Sequence, residues 1–217
     1  MKRRQFSLQL AGTAAGLATT TGLSWAQAAN APVEGREYVR LAQPLPVTTP
    51  GKIEVVEFFW YGCPHCNSFE PALHAWVGKL PADVVFKRVP VAFRAEPYVA
   101  HQRIYYTLEA MGLVDTMHSK VFYAIHNERK RLDDLDEIAA FMGKNGVDVD
   151  KFKSFYNSFS MQSKLQQARN LAVGYKIDGV PTIGIHGRFL TSGSLAGSNE
   201  GALRVADALI ARIRKGG

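Results

Sequence analysis

The sequence predicts an α/β fold: a central mixed sheet flanked by helices, with an inserted all-helical segment. Three observations predict it. Residues 52–91 read as strand, helix, strand. Residues 177–213 read as turn, strand, turn, strand and helix. The stretch between, 97–170, reads as helices alone. The 217 residues, 47% of them hydrophobic, suit one globular domain or one domain carrying a large insertion.

The chain opens MKRRQFSLQLAGTAAGLATTTGLSWAQAANA. Lys2, Arg3 and Arg4 form a basic start, and a weakly apolar run rich in Ala, Gly and Thr follows. Ala26-Gln27-Ala28 has the small-x-small pattern of a signal-peptidase site. Residues 1–28 are therefore expected to be a signal peptide, since the competing cut after Ala31 would leave Pro32 just behind it. Arg3-Arg4-Gln5-Phe6 also resembles a twin-arginine signal, so the Sec and twin-arginine routes both stay open. The full chain carries +7, three of those charges in the first 28 residues, leaving +4 on the remaining 189. That mild excess argues against a nucleic-acid partner, and Glu128-Arg129-Lys130-Arg131 reads as a solvated face. No later run approaches the roughly 20 apolar residues of a membrane span.

KIEVVEFFW, residues 52–60, is a buried central strand by its β-branched and aromatic content. Tyr61-Gly62 turns the chain, and Pro64 suits the first position of a helix, where its missing N–H costs nothing. Phe69, Leu73, Trp76 and Leu80 fall on one helical face, with Pro71 inside the helix. DVVFKRVPV, residues 83–91, is the second strand of a βαβ unit. Further helices are expected in PYVAHQRIYYTLEAMG, DTMHSKVFYAIHN, DDLDEIAAFMGKNG and DVDKFKSFYNSF, the last two capped by Asp133 and Asp148. A fifth carries Met161, Leu165, Ala168, Ala172 and Tyr175 on one stripe. Ser198 is the expected N-cap of the closing helix, whose inner face is Leu203, Ala206, Ile210 and Ile213.

Both cysteines of the chain, Cys63 and Cys66, stand one helical turn apart, separated by Pro64 and His65. An exported protein meets an oxidising compartment, where disulfides persist. A bridge between these two closes a very short loop and contributes only about 2 kcal/mol of chain entropy, against about 4.7 for a 100-residue loop. A zinc site asks for four ligands, or three with water. Cys63, Cys66 and one of six scattered histidines supply three at most, so a metal carrier is the weaker alternative. Redox chemistry fits better. Cys63 lies at a helix N-terminus, where unpaired N–H groups and the dipole favour a thiolate, with His65 adding positive charge; Cys66 lies deeper and is less ionised.

Phe58-Phe59-x-x-x-Cys63-Pro64-His65-Cys66 resembles the active site of the DsbA family of periplasmic thiol:disulfide oxidoreductases, and the resemblance extends over roughly residues 35–215. It implies a thioredoxin-like fold divided as 29–96, the helical insertion 97–170, and 171–217. It implies a cis Val180–Pro181 bond opposite the cysteines, with Val180 and Pro181 binding an extended substrate strand. Glu57 and Glu70 match acidic residues that relay protons or tune the thiols in that family. Arg88, where the family more often has lysine, is placed to pair with Glu57. Gly62 departs from the family pattern, replacing a bulkier residue. The catalytic set implied is Cys63, Pro64, His65, Cys66, Pro181 and Glu57, with Cys63–Cys66 as the redox disulfide and with no metal or other cofactor. The implied partners are exported proteins with free thiols and a membrane oxidase of the DsbB type, for a monomeric periplasmic protein. A reductase or isomerase on the same fold is the alternative; the missing dimerisation domain and the Pro-His pair argue against it.

Overall fold

The computed structural model describes residues 31–216. The expected signal peptide, residues 1–28, lies outside the described residues.

The apolar run before the cysteines forms β2 (Ile53–Phe59), preceded by the two-residue β1 (Val39–Arg40) and followed by α1 (Pro64–Val77) and β3 (Val84–Pro90). Five helices come next: α2 (Tyr98–Ala110), α3 (Val114–His126), α4 (Leu135–Lys144), α5 (Val149–Tyr156) and α6 (Phe159–Gly174). The chain then returns to the sheet with β4 (Thr182–Ile185) and β5 (Phe189–Ser192), and ends in α7 (Gly193–Ala196) and α8 (Asn199–Arg214). The sheet order is β1-β5-β4-β2-β3. β2 and β3 run parallel and the other neighbours antiparallel, giving the expected mixed sheet.

The parallel pair is what seats the cysteines. A βαβ crossover must carry the chain back along the sheet, so α1 begins at the end of β2, deep in the molecule. Every residue of β2 is buried, because helices cover both its faces. On one face Phe69 and Leu73 of α1 pack with Ile53, Val55, Ile183, Ile185 and the inner face of α8, where Leu203, Ala206, Leu209 and Ile210 are buried. On the other, Val56 and Phe58 join the core of the helical segment, which also takes in Phe59 from the end of β2, through Ile104, Leu108, Phe122, Met142 and Phe152.

Several sequence expectations shift. α1 stops at Val77 with Gly78 as its C-cap, so Leu80 lies past the helix, though it still packs against the same core. Asp134, not Asp133, caps α4: its backbone is extended (φ −110°, ψ 138°) and its carboxylate accepts from the N–H groups of Asp136 and Glu137. Asp133 pairs with Arg131 instead. The expected boundary at residue 170 falls inside α6. β1 and α7 escape sequence reading because two and four residues carry no periodicity.

Candidate active site

β2 ends at Phe59, and Trp60 to Gly62 turn the chain into α1. Cys63 is the N-cap of α1 (φ −85°, ψ 117°), with Pro64 opening the helix; the Cys63 N–H donates to the Trp60 carbonyl at 2.9 Å. Gly62 has a packing reason. A Cβ there would lie 2.3 Å from the Trp60 ring, and that ring is held by stacking on Tyr98 at 4.1 Å between centroids. Gly62→Ala is therefore expected to cost about 1–3 kcal/mol of stability, the range for overpacking. A urea melt with an unchanged midpoint would mean that Trp60 swings aside freely.

The two thiols are free, and their environments drive them apart. Cys63 keeps 8% of its surface exposed and Cys66 none. The Cys63 thiol is held down to about 6, first by the Cys66 side chain donating to it, then by the backbone N–H groups of Cys66 and His65 at the helix start. The charge of His65 lowers it too, as the last of these influences. Cys66 is pushed far up by burial first and by the neighbouring Cys63 second. One thiol is poised as a thiolate at neutral pH and the other is held neutral.

The Val180–Pro181 bond is cis, and the Cys63 thiol donates to the Val180 carbonyl at 3.4 Å. A segment 117 residues along the chain thus meets the Cys63 sulfur. A cavity of about 1300 Å³ opens beside them, lined in part by His65, Val180, Pro181, Leu190 and Leu195.

Below the thiols lies a buried polar group. Glu57 is fully buried in β2. Arg88 Nε donates to its Oε2 at 3.0 Å, while Arg88 Nη2 donates to Glu70 Oε2 at 3.1 Å. Glu70 Oε1 lies 3.2 Å from His118 Nε2, and His118 Nδ1 lies 2.8 Å from the Tyr61 hydroxyl. Burial, reinforced by the charge of Glu70, pushes Glu57 up to about 8. Burial also pushes Glu70 up, but His118 and Arg88 outweigh it and hold that carboxyl below its usual value. His118 is held down by burial. Glu57 Oε1 is buried without a hydrogen-bond partner in the protein, and the charge of Glu57 acts on Cys66.

Sequence reasoning brought Glu57, Glu70 and Arg88 to this region and missed Tyr61 and His118. A signal for His118 existed: His118, Phe122 and His126 repeat at four-residue spacing beside the buried Met117 and Val121 of α3. Among the described residues, no group of three or more His, Cys, Asp or Glu side chains is arranged to hold a metal ion.

The DSBA-like thioredoxin domain family model matches residues 54–199. The thiol:disulfide interchange protein DsbA of Pseudomonas aeruginosa is 47% identical over 180 residues, 83% of this chain and 85% of the relative. DsbA of Bordetella pertussis is 45% identical over 218 residues, 99% of this chain and all of the relative. The crystal structure of Pseudomonas aeruginosa DsbA superposes with a TM-score of 0.83 at 45% identity, covering 85% of this chain and 96% of that one.

Proposed function

Because the chain belongs to the DSBA-like thioredoxin-domain family, and so is a thiol:disulfide oxidoreductase that forms disulfide bonds, we propose that Cys63 is its substrate-facing sulfur and Cys66 its resolving partner. A substrate thiolate attacks Cys63 of the disulfide. A substrate–Cys63 bond forms, the Cys63–Cys66 bond breaks, and Cys66 leaves with the electron pair and takes up a proton. A second substrate thiol then displaces Cys63, so the substrate is oxidised and the enzyme reduced. The observation that carries this reading is the split between a partly exposed thiol held down to about 6 and a buried one pushed far up.

The other residues take roles by their placement. Pro64 opens α1 without an N–H to satisfy, leaving the N–H groups of His65 and Cys66 to the Cys63 thiolate. Val180 and Pro181 border the reactive sulfur, and a substrate backbone pairs there as an added strand. Glu57 is the base that receives the Cys66 proton when that thiol attacks. Residues 97–170 act as the helical insertion that closes the site from the α2–α3 side.

The proposed setting is the periplasm, reached by cleavage after Ala28 through the Sec or twin-arginine route. Exported proteins with free thiols are the substrates, and a membrane oxidase of the DsbB type reoxidises a monomeric enzyme. Among the described residues no helix is long and apolar enough to cross a membrane.

Equilibration with glutathione buffers tests the direction of the reaction. A thiolate one unit below pH 7 favours the reduced form by about 1.4 kcal/mol, or about 30 mV. DsbA proteins are themselves the standing example of a strongly oxidising dithiol, at about −120 mV. The expected potential lies well above the about −270 mV of thioredoxin. A value near thioredoxin's would make the protein a reductase.

A further inference from the structure

The buried group under the thiols contains a titratable side chain that the exchange leaves without a role. Arg88 brings one positive charge, Glu57 and Glu70 bring two carboxylates, and His118 closes the row on Glu70 at 3.2 Å. A site this buried favours zero net charge: the side chain of Glu57 is 0% exposed and that of His118 7%. Three arrangements reach it, and the one with the proton on Glu70 is disfavoured because His118 and Arg88 hold that carboxyl below its usual value; two remain. The proton sits on Glu57 with His118 neutral, or it sits on His118 with both carboxylates ionised.

The tautomers of His118 accommodate both arrangements: Nδ1 is hydrogen-bonded to Tyr61, while Nε2 lies 3.2 Å from Glu70 Oε1 without the alignment of a hydrogen bond. With His118 neutral, Nδ1 accepts from the Tyr61 hydroxyl and Nε2–H faces Glu70. With His118 charged, Nδ1–H donates to the Tyr61 oxygen and Nε2–H still faces Glu70. The titratable and charged groups around His118 are Tyr61 from the turn before α1, Glu70 from α1, Arg88 from β3 and Tyr105 from α2. His126 lies on its own helix, beyond Phe122. Burial pushes both tyrosines up, which leaves them neutral throughout the working range.

We propose that His118 is a positioning residue for the attack by Cys66, holding the proton that lets Glu57 stand ionised as base. The inference rests on the assignment of Glu57 as that base. When the reduced enzyme meets glutathione disulfide, Cys63 first forms a mixed disulfide and releases one glutathione thiolate. The Cys66 sulfur then attacks Cys63. The Cys63–Cys66 bond forms, the bond to glutathione breaks, and the electron pair leaves with the glutathione sulfur. Cys66 is oxidised, the glutathione sulfur is reduced, and the Cys66 proton passes to Glu57. His118 returns its proton to solvent by way of Glu70, whose side chain is 16% exposed. The buried charge is zero before and after.

The test follows the decay of the glutathione mixed disulfide at pH 7 in His118→Gln and in the double variant His118→Gln/Glu70→Gln. Without His118, an ionised Glu57 leaves one uncompensated negative charge, and the decay should slow about tenfold, the equivalent of one unit of proton affinity. Removing Glu70 as well leaves Glu57 and Arg88 as a neutral pair, and the rate should return to that of the unmutated protein or above it. A double variant as slow as the single one, or a single variant at full rate, overturns the proposal. If His118→Gln does not fold, ring ¹⁵N NMR of the unmutated reduced protein decides: His118 must gain a proton between about pH 8 and 5, a range around the ordinary histidine value, and a ring that stays neutral overturns the proposal. A protein that is oxidising against glutathione while indifferent to His118 loses only this inference.

Discussion

Cys63→Ser is expected to abolish disulfide exchange, whereas Cys66→Ser should complete the first exchange and stop at a covalent complex. Cys63 is the sulfur with surface exposure and with a thiol held down to about 6, so roughly nine-tenths of it is thiolate at pH 7. Cys66 has no exposed surface and is pushed far up, so it attacks only a sulfur already joined to Cys63. Cys66→Ser, given a disulfide substrate, should therefore accumulate a mixed disulfide that runs as a discrete heavier band on a non-reducing gel. The choice of serine matters. The Cys66 side chain is the foremost influence lowering the Cys63 thiol, and a hydroxyl retains that donor. Cys66→Ala should raise the Cys63 pKa, read from thiolate absorbance, while Cys66→Ser leaves it nearly in place. A complex trapped by Cys63→Ser and not by Cys66→Ser would reverse the assignment.

The second large effect is a crossing of redox-dependent stabilities with pH. Cys63 titrates at about 6 in the folded protein. In an unfolded chain a cysteine titrates near 8.5, and a group whose folded value is depressed contributes stability in full above the unfolded value and loses it as pH falls through the folded one. The window is therefore about pH 6 to 8.5. Inside it the reduced form should gain up to about 1.4 kcal/mol per pH unit over the oxidised form, which has no thiolate to hold. Solvent screening at the partly open sulfur trims the full span to about 2–3 kcal/mol. The short disulfide loop favours the oxidised form by about 2 kcal/mol at every pH. The oxidised protein should thus be the more stable one at pH 6, and the two should cross near pH 8. Urea melts of both forms at pH 6, 7 and 8.5 measure this. Parallel stability curves would show that the fold does not hold the thiolate.

The placement of the cysteines was legible because it is set by short-range chemistry. An apolar β-branched run makes a buried strand, Gly62 turns the chain, Pro64 can open a helix and not continue one, and Cys63 is left at the helix N-terminus. The N-caps Asp148 and Ser198 were legible for the same reason, each being a side chain that reaches an N–H three residues on. Asp133 and Asp134 show the limit. Adjacent identical residues carry the same local signal, and only the backbone angles at 134 decide which one caps.

The sequence by itself determined the order of the longer strands and helices along the chain, the seat of the two cysteines at a helix start and the direction of the difference between them. The tertiary structure decided what surrounds those sulfurs. A glutamate in a strand looks alike in sequence whether it faces water or the core. Glu57 is buried in β2 with Arg88 of β3 beside it, α1 brings Glu70 to the same guanidinium, and α3 sets His118 against Glu70. The donor that most lowers Cys63 likewise depends on how Cys66 turns once it is buried, and the Val180 carbonyl reaches that sulfur only when β4 pairs with β2. The physical reason is one of range. Helix starts and strand runs follow from interactions within a few residues, whereas charge and desolvation act through space on whatever the packing brings near.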